Sequence, residues 1–571
     1  MARHHPFAFL REFATRWDAI AIILVIGLIA ALGEASRGLL APLATLETTP
    51  LSLDPAHLPQ YAARTTLRMF VALGLSLLFT LTYATWAAKS ARAGRLLLPM
   101  LDILQSVPIL GFISVSVVFF LSLAPGRVLG AELAAIFAIF TSQAWNMAFS
   151  FYQSLRTVPV ELNEVADSFR LSPWMKFWQL EVPFALPGLI WNTMMSVSGG
   201  WFFVVASEAI SVGHTRVALP GIGSYIAVAI QHSDLTAIGW AILTMAIVIL
   251  LYDQLIFRPL VAWVDGLRFE QEASGWRARS WALTVIRRSR LTAGIARGFY
   301  GVVRWVSWAL PVGSRKSPAV QGSGHKADAA WLGVVIAAVA FALWHIASML
   351  IDGTSLREAA SVAGLASLTM TRVFVLIALA SVLWVPIGVW VGMRPRVMEA
   401  VQPVAQFMAA FPANLLFPVA VFAIVTWKLN PDVWLSPLMI LGTQWYILFN
   451  VIAGASTIPG ELRNAAQNFQ VRGWLWWRTV ALPAVFPYYV TGAITASGGS
   501  WNASIVAELA SWGGTQVKAR GIGSYIAEAT AAGDFRRIVL GIATMSVFVV
   551  VINRLLWRPL YYYAERRFRL G

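Results

Sequence analysis

The stretch Val158–Ile190, VPVELNEVADSFRLSPWMKFWQLEVPFALPGLI, is the longest moderately polar interval in an otherwise apolar first half. It returns 300 positions later as Ile458–Val490, IPGELRNAAQNFQVRGWLWWRTVALPAVFPYYV. Prolines recur in register, as Pro159 and Pro459, Pro183 and Pro483, Pro187 and Pro487, then Pro259 and Pro559. The same offset pairs Trp145 with Trp445, Gly199 with Gly499, Trp201 with Trp501 and Glu208 with Glu508. It also superimposes Gly221–Ala227, GIGSYIA, on an identical Gly521–Ala527. Upstream the offset becomes 304, pairing Arg68 with Arg372 and Trp86 with Trp390. The change falls in the loop between the third and fourth apolar runs, where length is tolerated. A duplication this long decides the fold before any single motif does.

Composition says what is duplicated. Apolar residues make up 58 % of the 571 and charged residues 12 %, against about 25 % charged in ordinary globular chains. Runs of about 20 residues nearly free of charge recur, each long enough to cross a bilayer as a helix. The net charge of +16 lies between these runs, the distribution of cytoplasmic loops and not of a nucleic-acid-binding surface. With no cysteine, disulfides and thiolate sites need not be considered. No His/Asp/Glu cluster has metal-ligand spacing, and no nucleophile–base set stands out.

The expected spans of the first half are Asp18–Gly33, Thr66–Ala88, Leu98–Leu121, Gly130–Phe151, Pro187–Ile210 and Leu235–Phe257. Those of the second are Ala330–Ile351, Met370–Val391, Val401–Val425, Trp434–Ala455, Pro487–Ala510 and Ile538–Trp557. The fold class is thus an all-α membrane protein of about twelve helices, six per repeat. The basic N-terminus running into Ala19–Leu32 reads as an uncleaved first span. Placing both termini in the cytoplasm puts about thirty Lys and Arg inside and about ten outside, the bias of the positive-inside rule. That orientation puts both copies of the loop inside. Six spans per repeat gives the repeats the same orientation, with a pathway expected between them. The domains are then 1–257, a basic linker 258–329, and 330–571. In the linker, 285–308 has an apolar face and an arginine face, as in an interfacial helix, and Gly313–Lys326 is a flexible tether.

Within each loop, Glu161–Arg170 has helical character, Leu171–Trp174 breaks it, and a second short helix over Met175–Leu180 leads to Pro183. Val471–Trp474 is the break in the second copy. A membrane-parallel helix-turn-helix of this kind presents an apolar tip (Leu171 and Trp174; Val471 and Trp474) to a partner's groove. An ordinary interfacial loop with headgroup tryptophans is the alternative; two copies at one topological place favour the partner.

The loop resembles the EAA loop of ABC-importer permeases, whose pattern is Glu-Ala-Ala, a later Gly and an apolar-Leu-Pro. Glu164-Val-Ala166 with Leu180-Glu-Val-Pro183 match it in the first copy, and Asn464-Ala-Ala466 with Ala481-Leu-Pro483 in the second. Trp201–Glu208 followed by Gly221-Ile-Gly-Ser-Tyr looks like the equivalent stretch of the nitrate/sulfonate/taurine/bicarbonate branch, and the whole chain is similar to its fused, duplicated permeases. The resemblance implies a type I importer permease fold in the bacterial inner membrane. It implies two separate ATPase subunits, one per loop, and an extracytoplasmic solute-binding protein. The ATPase-coupling residues would be Glu161, Glu164, Ala166, Arg170, Leu171 and Trp174, with Glu461, Asn464, Ala466, Gln470, Val471 and Trp474. The chain has no GxxxxGK[ST] loop, so ATP and Mg would be bound by the partners and none by this chain. Two departures stand out. The family's loop glycine is replaced by Arg170 and Gln470, which disfavour positive φ, so a differently built turn is expected. Asn464 replaces the first Glu, so unequal loops are expected.

For the pathway, ionisable residues in spans invite a functional reading. Glu208 and Glu508 fall near the outer interface, facing water or forming a gate. Gly199, Gly200, Gly498 and Gly499 permit a bend or close packing in the same helices. Trp201, Trp501 and Asn502 either line the pore or face lipid. Arg216, Lys518 and Arg520, with His214, surround a mouth where they would concentrate a small anion or fix the loops. The Gly-Ile-Gly pairs lack the context of a phosphate loop. A secondary transporter also fits two six-helix halves, but gives no reason for a repeated loop; a channel or scaffold fits the helices alone.

Overall fold

The computed structural model of the chain describes residues 51–106, 108–212, 215–265, 281–288 and 355–568, with isolated positions between them. The expected spans Asp18–Gly33 and Ala330–Ile351, the tether and most of the interfacial helix at 285–308 lie outside the described residues. Among those described, seven helices are long and apolar enough to cross a membrane, or nine if two bent pairs each count as one.

The first repeat runs α1 (Leu58–Phe79), α2 (Thr85–Lys89), α3 (Ala91–Ser106), α4 (Ile109–Leu123), α5 (Val128–Arg156), α6 (Val160–Ser168), α7 (Pro173–Lys176) and α8 (Val182–Glu208). A hairpin of β1 (Ala209–Val212) and β2 (Thr215–Ala218) follows, then α9 (Ile222–Gln231), α10 (Leu235–Tyr252) and α11 (Arg258–Asp265). The linker contributes α12 (Trp281–Arg288). The second repeat runs α13 (Leu356–Gly392), α14 (Pro395–Ala410), α15 (Phe417–Thr426), α16 (Pro431–Trp434), α17 (Gln444–Ser456), α18 (Gly460–Asn468), α19 (Gly473–Trp476) and α20 (Leu482–Ala507). A second hairpin, β3 (Leu509–Trp512) and β4 (Thr515–Lys518), precedes α21 (Ile522–Ala532), α22 (Phe535–Ile552) and α23 (Arg558–Phe568).

Small residues set the tightest packing. α5 buries Gly130, Ala131, Ala134, Ala135, Ala138, Ala144 and Ala148, and its interface with α8 is the most extensive in the chain. α20 buries Ala493, Ala496, Ser497, Ser500, Ala503, Ser504 and Ala507 and packs on α17 and α13. Without water to drive helices together in lipid, such residues let backbones approach and dispersion supply the attraction. The opposite surfaces are apolar and exposed, with Leu243, Ile247, Leu250 and Leu251 on α10 and Val375, Leu379, Val382 and Leu383 on α13. That is an outside built for acyl chains.

The third spans depart from expectation. Leu98–Leu121 is two helices, α3 and α4, separated at Pro108. Val401–Val425 is α14 and α15, bent by 69° across Phe411-Pro412. Proline cannot donate the helical hydrogen bond and restricts the residue before it, so it breaks the run where composition alone reads continuity. The fourth spans also differ: α5 is continuous, whereas α16 and its following turn meet α17 at a 44° bend. The third segments cross between repeats. α4 packs on α20 and α22, and α14 on α8 and α10. A Cβ on Gly111 would meet Ile542 at 2.7 Å.

The in-register prolines acquire a physical meaning. Pro183, Pro483, Pro259 and Pro559 each follow a five-residue π turn by two positions, at Phe177–Glu181, Trp477–Ala481, Asp253–Phe257 and Asn553–Trp557. The wider turn rearranges the hydrogen bonds that a missing proline N–H would leave open, so the helix continues.

Candidate functional site

The loops are built alike. α6 and α18 each start after a proline, at Pro159 and Pro459, and each closes with a left-handed residue. In the first, Leu171 N–H donates to Ala166 O at 3.1 Å and Arg170 N–H to Asp167 O at 3.0 Å. In the second, Val471 N–H donates to Ala466 O at 2.8 Å and Gln470 N–H to Gln467 O at 3.0 Å. This is the Schellman closure that glycine usually serves. Arg170 and Gln470 both sit at φ 52°. The expectation of a differently built turn is therefore wrong: the glycine geometry is kept without glycine. Both side chains are exposed, so the strain of about 1–2 kcal/mol is the backbone's own.

Beyond the turn there is no separate second helix. α7 continues through the π turn into α8, giving one rod over Pro173–Glu208, and Gly473–Ala507 does the same. The expectation of a separate short helix over Met175–Leu180 leading to Pro183 is corrected, because the π turn absorbs that proline. Ala166 and Ala466 are buried beneath the turns, while Glu161, Glu164, Glu461 and Asn464 are exposed. Leu171, Val471 and Trp174 are half-buried, Trp174 lying against Phe177 and Trp178, whereas Trp474 is 73 % exposed. The apolar tip is elsewhere: Phe169 is 76 % and Phe469 82 % exposed. Both residues are in the quoted stretches, in register, one position before the turn. Their pairing was the missed signal.

The copies also differ. Ser172 caps α7, its Oγ accepting from Met175 N–H at 3.2 Å, whereas Arg472 gives α19 no side-chain cap and Gly473 takes φ 58°. Lys176 Nζ reaches Asp167 at 3.2 Å, and Lys89 Nζ reaches Glu181 at 2.8 Å. The counterparts are Trp476 with Gln467, and Met393 with Ala481, which cannot form either pair.

A central cavity of about 90 Å³ lies between the repeats. α8 contributes Ser198, Gly199, Phe202 and Phe203, and α20 contributes Gly499, Asn502 and Ala503. Phe411 and Ala413 come from the break before α15, and Thr443 and Tyr446 from the bend before and within α17. The lining is aromatic and neutral, with hydroxyls and one carboxamide. Trp201 and Trp501 do not line this space; both are buried. Trp201 packs edge-on against Tyr252 and borders a smaller space of about 20 Å³. Gly199, Gly200 and Gly499 are close-packing sites, where a Cβ would meet Tyr446, Gln143 and Thr443 respectively, and α8 and α20 are unbroken through them.

The two glutamates are neither in water nor at the cavity. Glu208 and Glu508 are buried, each at the centre of an ionic cluster. Arg68 holds Glu208 Oε1 at 2.6 Å through Nη1, and Glu132 bidentately through Nε and Nη2 at 2.6 and 2.7 Å. Thr65 Oγ1 donates to Glu208 at 2.7 Å and Gly223 N–H donates to its other oxygen at 2.7 Å. In the second repeat Arg372 contacts Glu508 at 3.2 Å and Asp432 at 3.0 Å, Thr369 donates to Glu508 at 2.7 Å, and Gly523 N–H does so at 2.8 Å. Each cluster ties the second, fourth and fifth helical segments to the start of α9 or α21, where free N–H groups favour an anion. The Gly-Ile-Gly block follows from this. A Cβ on Gly221 or Gly521 would lie 2.4 or 2.1 Å from the carboxylate. Arg68, Glu132 and Arg372 were also legible, as charges inside apolar runs, whereas Asp432 falls just before one.

At the mouth, Lys518 pairs with Glu528 at 2.6 Å, and Arg520 with Asp432 at 3.2 Å, adding a backbone bond at 2.7 Å. Both cations are thus ion-paired rather than free at the mouth. The backbone of Arg216 is in β2; its side chain and His214 lie outside the described residues.

Two repeats of membrane-crossing helices that enclose a neutral cavity, each joined by one rigid rod to an exposed loop, define a solute permease of duplicated architecture. The chain belongs to the family of binding-protein-dependent transport system inner membrane components, whose model matches residues 61–260 and 384–570. It is similar to the nitrate import permease protein of Leptolyngbya laminosa, 26 % identical over 187 residues, 33 % of this chain and 63 % of the relative. It is 26 % identical over 186 residues to a bicarbonate transport system permease protein of Synechococcus elongatus, covering 33 % and 64 %. A glycine betaine/carnitine transport permease protein of Listeria monocytogenes is 27 % identical over 186 residues, covering 32 % and 59 %. The chain thus spans less than two thirds of the length of each of these relatives.

Proposed function

We propose that this chain forms the whole membrane pathway of an ATP-driven importer for a small anionic solute, with both termini in the cytoplasm. Two ATPase subunits dock on the loops at Phe169 and Phe469, and an extracytoplasmic binding protein delivers the solute. ATP and Mg are held by the ATPases, and hydrolysis is theirs. The carrying observation is mechanical: from just past its left-handed turn, at Pro173 or Gly473, each exposed loop continues without a further break into the helix that walls the central cavity. A push on either loop therefore tilts α8 or α20 and changes the cavity, which is what alternating access requires.

The anion reading draws on the nitrate and bicarbonate permeases among the relatives. A site of neutral donors, Ser198, Thr443, Tyr446 and Asn502, would hold an anion weakly enough to release it. A second reading has its own observation. Phe202, Phe203, Phe411 and Tyr446 in the lining suit a quaternary ammonium through cation–π attraction, and one relative is a betaine permease. Proteoliposomes with the ATPase and binding protein should accumulate labelled nitrate or bicarbonate when ATP is inside the cytoplasmic compartment. Accumulation of glycine betaine alone supports the second reading, and transport of any of these without an ATPase refutes the central proposal.

A further inference from the structure

We infer that the cavity is sealed at its hairpin end by a cross-repeat clamp, with Asn414 and Asn502 as its two gate residues and the turn at Gly513 as its outer latch. Asn502 on α20 accepts from Ile109 N–H, at the start of α4 in the other repeat, at 2.7 Å. Asn414, in the break between α14 and α15, donates through Nδ2 to Phe202 O on α8 in the other repeat, at 3.0 Å. Phe202 and Asn502 are counterparts at offset 300, and Ile109 and Ala413 at offset 304. The two bonds therefore occupy the same place in the two repeats, where a third-segment break meets the opposite fifth helix. Different residues make them, a side chain from the fifth helix on one side and from the break on the other. Residue identity was not repeated, yet the closure was.

Both bonds lie at the cavity rather than in the general packing. Asn502 and Phe202 line it, as does Ala413 beside Asn414. Asn414 is nearly fully buried and its Oδ1 has no hydrogen-bond partner. A half-satisfied buried carboxamide is a poor device for stability, but it suits a contact that has to open. Farther out, Gly513 N–H in the β3–β4 turn donates to Ile230 O on α9 of the first repeat at 2.9 Å. Gly513 has φ 56° and its missing Cβ would lie 2.4 Å from Ser233 Oγ, so this close approach requires glycine. Opening toward the hairpins has to break all three bonds together.

The inference rests on the permease reading for what opening accomplishes, but its test needs neither solute nor ATPase. The full chain contains no cysteine. A Ser198→Cys variant in sealed vesicles reports access to the cavity by its labelling rate with a membrane-impermeant maleimide added from the hairpin side. Asn414→Ala with Asn502→Ala should raise that rate about tenfold. Asn502→Asp, which keeps an acceptor for Ile109 N–H, should stay slow and exclude a general loss of fold. An unchanged rate in the double variant, or equal acceleration by Asn502→Asp, overturns the clamp. For the latch, Gly513→Ala sets a Cβ against Ser233 and should by itself raise the labelling rate from the hairpin side. An unchanged rate in Gly513→Ala refutes the latch. Failure here leaves the permease reading standing, since that reading falls on transport without an ATPase.

Discussion

Arg68 shows how a single residue can hold a repeat together. It is buried between Glu132 and Glu208, so its removal strands two carboxylates in the interior, which costs about 3–5 kcal/mol. Arg372 has the same role with more water around it, Asp432 being 29 % exposed. Arg68→Ala should therefore lower the melting temperature of the purified chain clearly more than Arg372→Ala, as read by thermal unfolding in detergent. Equal shifts would mean the clusters carry equal weight. The left-handed residues offer a second check. Arg170→Gly should stabilise the chain slightly, and Arg170→Val should destabilise it by about 1–2 kcal/mol, because a β-branched side chain tolerates positive φ poorly. Much at this scale was readable beforehand. Glu208, Glu508 and the Gly-Ile-Gly block were marked by charge and repetition. Which charges pair with them was not readable, since joining Arg68 to Glu208 spans 140 positions and depends on how helices fold back, which no local pattern encodes.

At the scale of elements, the spans could be located from hydropathy but their continuity could not. Hydropathy averages over a window, so it read the broken third spans as single helices. It also started the fifth span only at Pro187, although a π turn carries the helix through from Pro173. The loops are similarly instructive. Trp174 and Leu171 looked like the tip by apolarity, yet the turn at Arg170 swings Phe169 outward instead. Continuity of the rod Pro173–Glu208 can be tested by inserting Gly-Gly after Lys176. In the ATPase complex, maleimide access to Ser198→Cys should then stop responding to ATP while the ATPase still co-purifies. The anchoring pairs Lys89–Glu181 and Lys176–Asp167 exist in one loop only. Glu164→Ala should accordingly reduce stimulated ATP hydrolysis more than Asn464→Ala, and equal losses would count against unequal loops.

For the whole molecule, duplication is the organising fact. Offsets of 300 and 304, read from residues alone, reappear in the paired π turns, the paired left-handed turns, the paired hairpins and the paired ionic clusters. Composition and the repeat were enough to anticipate an all-α duplicated membrane protein, and the resemblance of the loops supplied the permease. They could not reveal that the third segments cross to the opposite repeat, because both arrangements bury the same apolar faces. The central claim is that one chain carries two couplers. Native mass spectrometry of the detergent-purified chain with its ATPase measures this directly. The account predicts two ATPase subunits per chain, falling to one when either Phe169→Asp or Phe469→Asp is introduced. A complex with a single ATPase in the unmodified protein, or two retained in both variants, would contradict it.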